Sequence, residues 1–288
     1  MANHAASKEA ITTSVTVTIF PKLGITTNLP LNSFLSFFPN FTKIPKAFNN
    51  RSPQHYVGAY GLNLVLKLSG HLISDGNRIN HQLIADYAKL LRDLYGGKGK
   101  WVVVVGGGEI ARRYVDAARS LGADEVMCDE VAILVTRANA RLVAACLGDI
   151  AQQRIPTSTE ELRELATNGK IVVMGGLQPG QSTVAVAALA ASVIKAERLI
   201  VATDVDGIYT ADPKVDPHAK LLPCISLSEL SKMIAELPQT AGKYPLIDNL
   251  AIAILQRSKI TCVYLNGRKL EDVKRAIMGE NVGTLVVP

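Results

Sequence analysis

Trp101-Val-Val-Val-Val105-Gly-Gly-Gly108-Glu-Ile-Ala-Arg112 is a strand, a turn and the start of a helix in twelve residues. Its five apolar positions do not alternate with polar ones, which marks a strand buried on both faces, as in the middle of a parallel sheet. The three glycines free the backbone to turn sharply. Glu109 to Leu121 then follows helical spacing and is closed by Gly122, where a left-handed residue ends a helix.

The same alternation runs outward in both directions. Further strands are predicted at Leu62 to Leu68, Lys170 to Met174, Leu199 to Thr203, Ile260 to Leu265 and Thr284 to Val287. Ile79, Leu83, Ile84, Tyr87, Leu90, Leu91 and Leu94 fall on one helical face, and more helices are expected at about 130–152, 182–195, 227–236, 247–257 and 270–278. Strand and helix in turn give right-handed crossovers, so the expected fold is α/β, a three-layer αβα sandwich around a mainly parallel central sheet. In such sheets ligands bind at the carboxyl ends of strands.

A composition break near residue 58 separates this pattern from what precedes it. All six phenylalanines (Phe20, Phe34, Phe37, Phe38, Phe41 and Phe48) lie in the first 48 residues, with Pro21, Pro30, Pro39, Pro45 and Pro53 working against long helices. Residues 1–58 are read as a loosely ordered extension, and residues 59–288 as the domain proper. The extension is poor in acids, as transit peptides are, but has one Arg and no clear amphipathic helix. Its five cations against Glu9 carry +4 of the formal +6, so the body is nearly balanced and has no charge stripe for a nucleic-acid polymer. No run approaches the roughly 18 consecutive apolar residues of a membrane span, and the N-terminus lacks a secretory signal, so the expectation is a soluble cytoplasmic protein. Cys128, Cys146, Cys224 and Cys262 are at least 18 residues apart and the five histidines form no close pair, which indicates neither a local zinc motif nor a disulfide framework.

Four loops can hold phosphate. Lys67-Leu-Ser-Gly70-His71 follows a strand and offers a glycine backbone and a point charge. Gly106-Gly107-Gly108 aims N–H groups from a helix N-terminus and also fits the G-x-G-x-x-A dinucleotide fingerprint, with Asp124, Glu125 and Asp129 at about the right distance, although the acid should end a strand and Asp129 opens a helix. Gly175-Gly-Leu-Gln-Pro-Gly-Gln-Ser-Thr183 nearly spells a Walker A loop, but Gln181 stands at the lysine position, leaving a donor-rich anion nest. Thr203-Asp-Val-Asp-Gly-Ile-Tyr-Thr-Ala-Asp-Pro213 has acids and a Tyr suited to a ribose or base, and lacks the final Glu of a calcium loop.

With Thr136-Arg-Ala-Asn-Ala140 between the second and third, these loops in this order resemble the amino acid kinase superfamily, and within it the uridylate kinases of archaeal type, over about residues 61–288. The resemblance implies an acceptor-binding lobe of about 59–195, a nucleotide-binding lobe of about 196–288, and a homo-oligomer, usually a hexamer. It implies that ATP and Mg2+ meet UMP here. Gly70 and His71 would line the ATP phosphates, Lys67 would face the transferred group, and Gly108 and Arg112 would serve the junction between substrates. Gly107, Asp129 and the run Leu177, Gln178, Pro179, Gly180, Gln181, Ser182 and Thr183 would hold UMP. Thr203, Asp204, Tyr209 and Asp212 would serve the adenosine side. Many relatives read Gly-Gly-Ser where this chain has Ser69-Gly70-His71, and Asn where it has Asp204.

The implied chemistry is transfer of the ATP γ-phosphoryl to UMP, with Lys67 and Arg112 as the catalytic cations. No dedicated protein metal site is assigned; magnesium rides on the nucleotide phosphates, and Asp206 is the protein carboxylate to test against it. Other readings are an isopentenyl phosphate or carbamate kinase of the same superfamily, a dinucleotide-dependent oxidoreductase, and a scaffold that only binds anions. An isopentenyl phosphate kinase would carry a His soon after the glycine run, and none occurs between His81 and His218. Arg137 could reach a phosphate or a subunit interface.

Overall fold

The computed structural model describes residues 61–236 and 247–288, together with the backbone of two strands nearer the N-terminus. Those two, β1 (Ser14–Phe20) and β2 (Ile25–Pro30), pair antiparallel with a register shift between Thr18 and Phe20. They belong to a separate unit, Met1–His55, whose other residues, and with them the loose order expected of the extension, lie outside the described residues.

The second unit alternates strand and helix. It begins with β3 (Leu64–Leu68), the short α1 (Gly70–Ile73), a hairpin of β4 (Ser74–Asp75) and β5 (Arg78–Ile79), and α2 (His81–Leu94). Next come β6 (Trp101–Val105), α3 (Gly108–Ser120), α4 (Glu125–Leu147), α5 (Thr159–Leu165), β7 (Val172–Met174), α6 (Thr183–Ile194) and β8 (Arg198–Thr203). The chain continues through β9 (Cys224–Ser226), α7 (Leu227–Glu236), α8 (Asn249–Ser258), β10 (Cys262–Asn266), α9 (Leu270–Ile277) and β11 (Thr284–Val287).

Seven of these strands form one sheet in the order β7-β6-β3-β8-β10-β11-β9. The first five run parallel, and β11, antiparallel to β10, carries β9 parallel to itself. Helices cover both faces, which is the expected mainly parallel αβα sandwich. On one face Val65, Val102, Val104 and Val201 pack against α6 and α8. On the other, Leu64, Leu66, Val103 and Val105 pack against α2, α4 and α9. The apolar run of β6 is buried throughout, as a central parallel strand requires. α6, Thr-Val-Ala-Val-Ala-Ala-Leu-Ala-Ala-Ser-Val-Ile, is apolar nearly all round, and its alanines let it lie close to both the sheet and its neighbour α8.

The short α1 and the β4–β5 hairpin were not expected. α4, α5 and β9 also differ from the sequence reading, each for a local reason. α4 starts at Glu125 rather than near 130 because Asp124 caps it, accepting from the Met127 N–H at 2.8 Å, and it ends at Gly148, whose φ of +64° suits glycine. α5 was not expected, although Ser158 caps it by accepting from the Glu161 N–H at 3.2 Å. β9 is three residues at the sheet edge, too short to show a period.

The segment Glu125–Ile150 is long and apolar enough by composition to cross a membrane. It is nevertheless built into this core on one side, where Cys128, Ile133, Ala140, Val143, Ala144 and Leu147 are buried. Its other side, with Val126, Met127, Leu134 and Leu142, is exposed.

Candidate active site

β3 is the first strand of the sheet and pairs with β6 on one side and β8 on the other. The chain proceeds from β3 to β6 and β7 in one direction, then returns to lay β8 on the opposite flank. That reversal opens a crevice at the carboxyl ends of β3, β6 and β8. A cleft of about 420 Å³ lies there, floored by the loops that follow these three strands and closed on one side by the first turn of α6.

Glycine is what lets two of those loops touch. A Cβ on Gly70 would sit 1.9 Å from the Gly108 nitrogen and 2.3 Å from its Cα, so the loop after β3 and the start of α3 meet backbone to backbone. Gly108 has φ +70°, and a Cβ there would lie 2.5 Å from the Gly70 carbonyl oxygen. The Gly106 N–H donates to the Leu68 carbonyl at 2.9 Å, and the buried Asn139 amide of α4 donates to the Gly106 and Gly107 carbonyls at 2.9 and 3.2 Å. With those carbonyls spent backwards, the glycine N–H groups at the start of α3 remain for an anion.

Lys67 is the charged group of the cleft floor. It sits on the face of β3 that packs toward α6 and is only 7% exposed, its Nζ donating to Ser69 Oγ at 2.7 Å. Burial lowers its pKa from 10.5 to about 8, against a pull from the Asp204 carboxylate. Burial likewise holds the His71 imidazole below its ordinary value; Asp204 opposes this, while Arg112, Lys214 and Lys67 add to it. Asp204 loses part of its hydration, yet the hydrogen bond and charge of Lys214, helped by His71, keep its carboxyl below the usual range. Arg112 is largely exposed on α3, with Glu109 at 3.6 Å. Three cations thus bear on one glycine-lined cleft, which is the field an anionic ligand needs.

A second cluster surrounds the loop between β7 and α6. A Cβ on Gly175 would lie 2.6 Å from Thr136 Oγ1 and 2.7 Å from the Arg137 nitrogen, so this loop lies directly on α4. The Gly176 N–H donates to Thr136 Oγ1 at 2.7 Å. The Arg137 guanidinium donates to the Gly176 and Leu177 carbonyls at 3.1 and 2.9 Å, which makes it a brace of the loop. Farther along, the Gly180 N–H donates to Asp129 Oδ2 at 2.8 Å, joining the loop to the start of α4. Ser182 caps α6, accepting from the Val184 and Ala185 N–H groups at 3.1 and 3.0 Å. Gln181 Oε1 is buried with no hydrogen-bond partner among the described residues.

Of the residues singled out by sequence, Lys67, Gly70, His71, Gly107, Gly108, Arg112, Thr183, Thr203, Asp204 and Asp212 line the one cleft. Asp129, Leu177, Gln178, Pro179, Gly180, Gln181 and Ser182 do not; they form or brace the neighbouring loop. Tyr209 also stands apart, its strand-like backbone bridged to Leu221. Asp206 turns to its own surroundings, its Oδ1 accepting from Asn266 at 3.0 Å and Lys269 at 2.8 Å. Among the described residues no cluster of three or more His, Cys, Asp or Glu could hold a metal ion. Lys214 is the charged cleft residue that sequence reasoning missed: its ammonium, ten residues beyond Asp204, pairs with the Asp204 carboxylate, and its N–H donates to Asp212 Oδ1 at 2.9 Å.

Comparison with known proteins identifies the family. Residues 63–266 match the model of the amino acid kinase family. A uridylate kinase of Hyperthermus butylicus is 44% identical over 223 residues, 77% of this chain and 97% of that protein. A uridylate kinase of Sulfolobus acidocaldarius is 42% identical over 230 residues, 79% of this chain and all of that one. The crystal structure of uridylate kinase from Archaeoglobus fulgidus superposes with a TM-score of 0.70 at 38% identity, covering 78% of this chain and 100% of that one. The chain therefore belongs to the amino acid kinase family, beside the archaeal uridylate kinases.

Proposed function

We propose that the protein is a UMP kinase, moving the γ-phosphoryl group of ATP reversibly to UMP and giving ADP and UDP in pyrimidine nucleotide synthesis. One observation carries the reading: a buried ammonium, Lys67, in a cleft of converging glycine backbone at the switch point of the sheet. Among the described residues its hydrogen-bond partner is a neutral hydroxyl, Ser69, so the charge is available to an incoming anion. The relatives named uridylate kinases support the choice of UMP as acceptor.

In the reaction an oxygen of the UMP phosphate forms a bond to the γ-phosphorus while the bond from that phosphorus to the β,γ-bridging oxygen breaks, leaving ADP. A phosphate monoester has a second pKa near 6, roughly, so the attacking oxygen is already ionised at neutral pH and needs no general base. The work left to the protein is alignment and charge stabilisation. Lys67 would bear on the moving group, Arg112 on the junction of the two substrates, and the N–H groups at the start of α3, with the Thr183 hydroxyl, on phosphate oxygens. Lys214 would add a third cation on release from Asp204. Gly70, His71, Thr203, Asp204, Tyr209 and Asp212 are assigned to ATP, and Gly107, Asp129 and Leu177 to Thr183 to UMP, so the acceptor lobe extends to about residue 195 and the nucleotide lobe follows it.

Magnesium fits this site as a companion of ATP: Asp204 and Asp212 are the carboxylates of the cleft that would meet it, and the other oxygen ligands would be phosphate and water. Bound there, it would supply neutralisation of charge on the β- and γ-phosphates. Asp206, held by Asn266 and Lys269, braces the turn instead.

Incubation with MgATP and, separately, UMP, CMP, AMP, isopentenyl phosphate and carbamate tests the assignment. Product formation selective for UMP is expected; equal or greater transfer to another acceptor would refute it.

The protein is further assigned as a homo-oligomer, a hexamer by family resemblance. The support is the exposed apolar surface of α3 and α4, where Tyr114, Leu121, Val126, Met127, Leu134 and Leu142 face outward. Leu134, 63% exposed midway along α4, is the residue to charge. Leu134→Glu is expected to give a smaller species by light scattering, since a carboxylate in an apolar interface is costly. An unchanged mass would place the interface elsewhere.

A further inference from the structure

α6 and α8 run side by side, and their first turns are joined. Ser182 Oγ accepts from the Val184 and Ala185 N–H groups, and Asp248 Oδ1 accepts from the Ala251 N–H at 2.9 Å, so each residue caps its own helix. Between the caps, the Ser182 hydroxyl donates to Asp248 Oδ2. At the other end of the pair, Ser258 Oγ donates to Ser192 Oγ at 3.0 Å.

The donor count makes the link at the first turns directional. A serine hydroxyl has one proton and two lone pairs. Both lone pairs of Ser182 are taken by backbone N–H groups, so its proton must leave the α6 cap, and Asp248 is where it goes. A carboxylate acceptor makes this bond stronger than a neutral one and lets one charge lie against two helix N-termini at once. The residues next in line, Thr183 and Val184, line the cleft together with Lys67.

We infer that Asp248 is a positioning residue of the phosphoryl-transfer site: by taking the Ser182 proton it fixes the first turn of α6, and so the Thr183 backbone and hydroxyl that line the cleft. The inference rests on the kinase reading given above. It assigns Asp248 no contact with either substrate.

Asp248→Ser separates this role from plain support of α8. Serine caps a helix as well as aspartate does, but it has no second oxygen for Ser182. The expected result is a fall of about tenfold in kcat for UDP formation, with the KM for ATP within about twofold, the pattern of an interaction needed in the transition state. In a Ser182→Ala background the same substitution should cost nothing more, because its route is gone. An equal further loss in both backgrounds would mean that Asp248 acts by some other path and would overturn the inference.

A second readout does not depend on turnover. Amide hydrogen exchange at Val184 and Ala185 should quicken by about tenfold in Asp248→Ser while Ala251 keeps its protection. Unchanged exchange at Val184 and Ala185 overturns the inference whatever the activity. Absence of UDP formation by the unsubstituted protein, in contrast, would refute the kinase reading and with it any role of Asp248 in phosphoryl transfer, while the exchange result would still report whether Asp248 fixes the first turn of α6.

Discussion

Lys67→Met lowers the turnover of UMP by about 10²- to 10³-fold, leaves UMP binding in place, and does not lower the thermal midpoint. The first part follows from removing a preorganised cation from the path of the transferred group. The last follows from burial. Lys67 is 7% exposed and its pKa falls from 10.5 to about 8, a shift on the order of 3 kcal/mol against the charged form. Methionine fills the same space without that cost, at the expense of the bond to Ser69. Undiminished turnover would remove Lys67 from the mechanism, and a lowered midpoint would contradict the cost assigned to its burial.

The same shift sets a pH dependence with two opposite signs. In the proposed mechanism the functional form is the ammonium, whose population in the free protein declines as pH rises through about 8. The kcat/KM for ATP should therefore drop above that pH, approaching tenfold per unit. Folding stability should move the other way. Between about 8 and 10.5 the unfolded chain still holds the proton that the folded one has released, so stability rises with pH across that window. Lys67→Met should abolish this contribution to the stability profile. Denaturant titrations at a series of pH values measure it, and an identical profile in the variant would contradict the assignment.

Gly70→Ala has the second large effect. Its new methyl would fall 1.9 Å from the Gly108 nitrogen, an atom of another loop's backbone that no rotamer change can move. The loops after β3 and β6 must separate, which costs about 1–3 kcal/mol of stability by the usual price of overpacking. They are also the loops proposed to offer N–H groups to the ATP phosphates, so kcat/KM for ATP should fall by at least about 10². Gly122→Ala is the comparison: φ is +90°, but a Cβ there meets nothing within 4 Å, so only the backbone term of about 1–2 kcal/mol applies. Equal activity losses in the two variants would show that the contact with Gly108 does not matter to the site.

What could be read from the sequence was whatever is local. Val102 to Val105 announce a central strand because four β-branched residues in a row, closed by a glycine run, suit a strand buried on both faces, and Gly106 to Gly108 announce a turn into a helix. The cleft is built from three such strand ends, so its floor was legible: Lys67, Gly70, Gly107, Gly108, Thr203 and Asp204 all line it. Residues whose position depends on how distant segments meet were not legible. Lys214 reaches the site because its loop folds back on Asp204. Asn139 and Arg137 are polar residues on a long helix, and only the packing of α4 shows that they hold glycine loops more than 30 residues away. Asp248 follows no glycine turn, and its tie to Ser182 spans 66 residues. Tyr209 illustrates the converse: Asp204 and Asp212 of its loop line the cleft, whereas Tyr209, its backbone bridged to Leu221, does not. α5 was missed despite a local signal, Ser158-Thr-Glu-Glu161, because its seven residues are too few for a helical period to stand out.

The most direct test of phosphoryl transfer to UMP is 31P NMR of the full-length protein with MgATP and UMP. The account requires the ATP γ-resonance and the UMP resonance to decline together while the two resonances of UDP and those of ADP grow in equal proportion. Unchanged ATP and UMP in folded protein, or loss of the γ-phosphoryl to inorganic phosphate with UMP untouched, would contradict it.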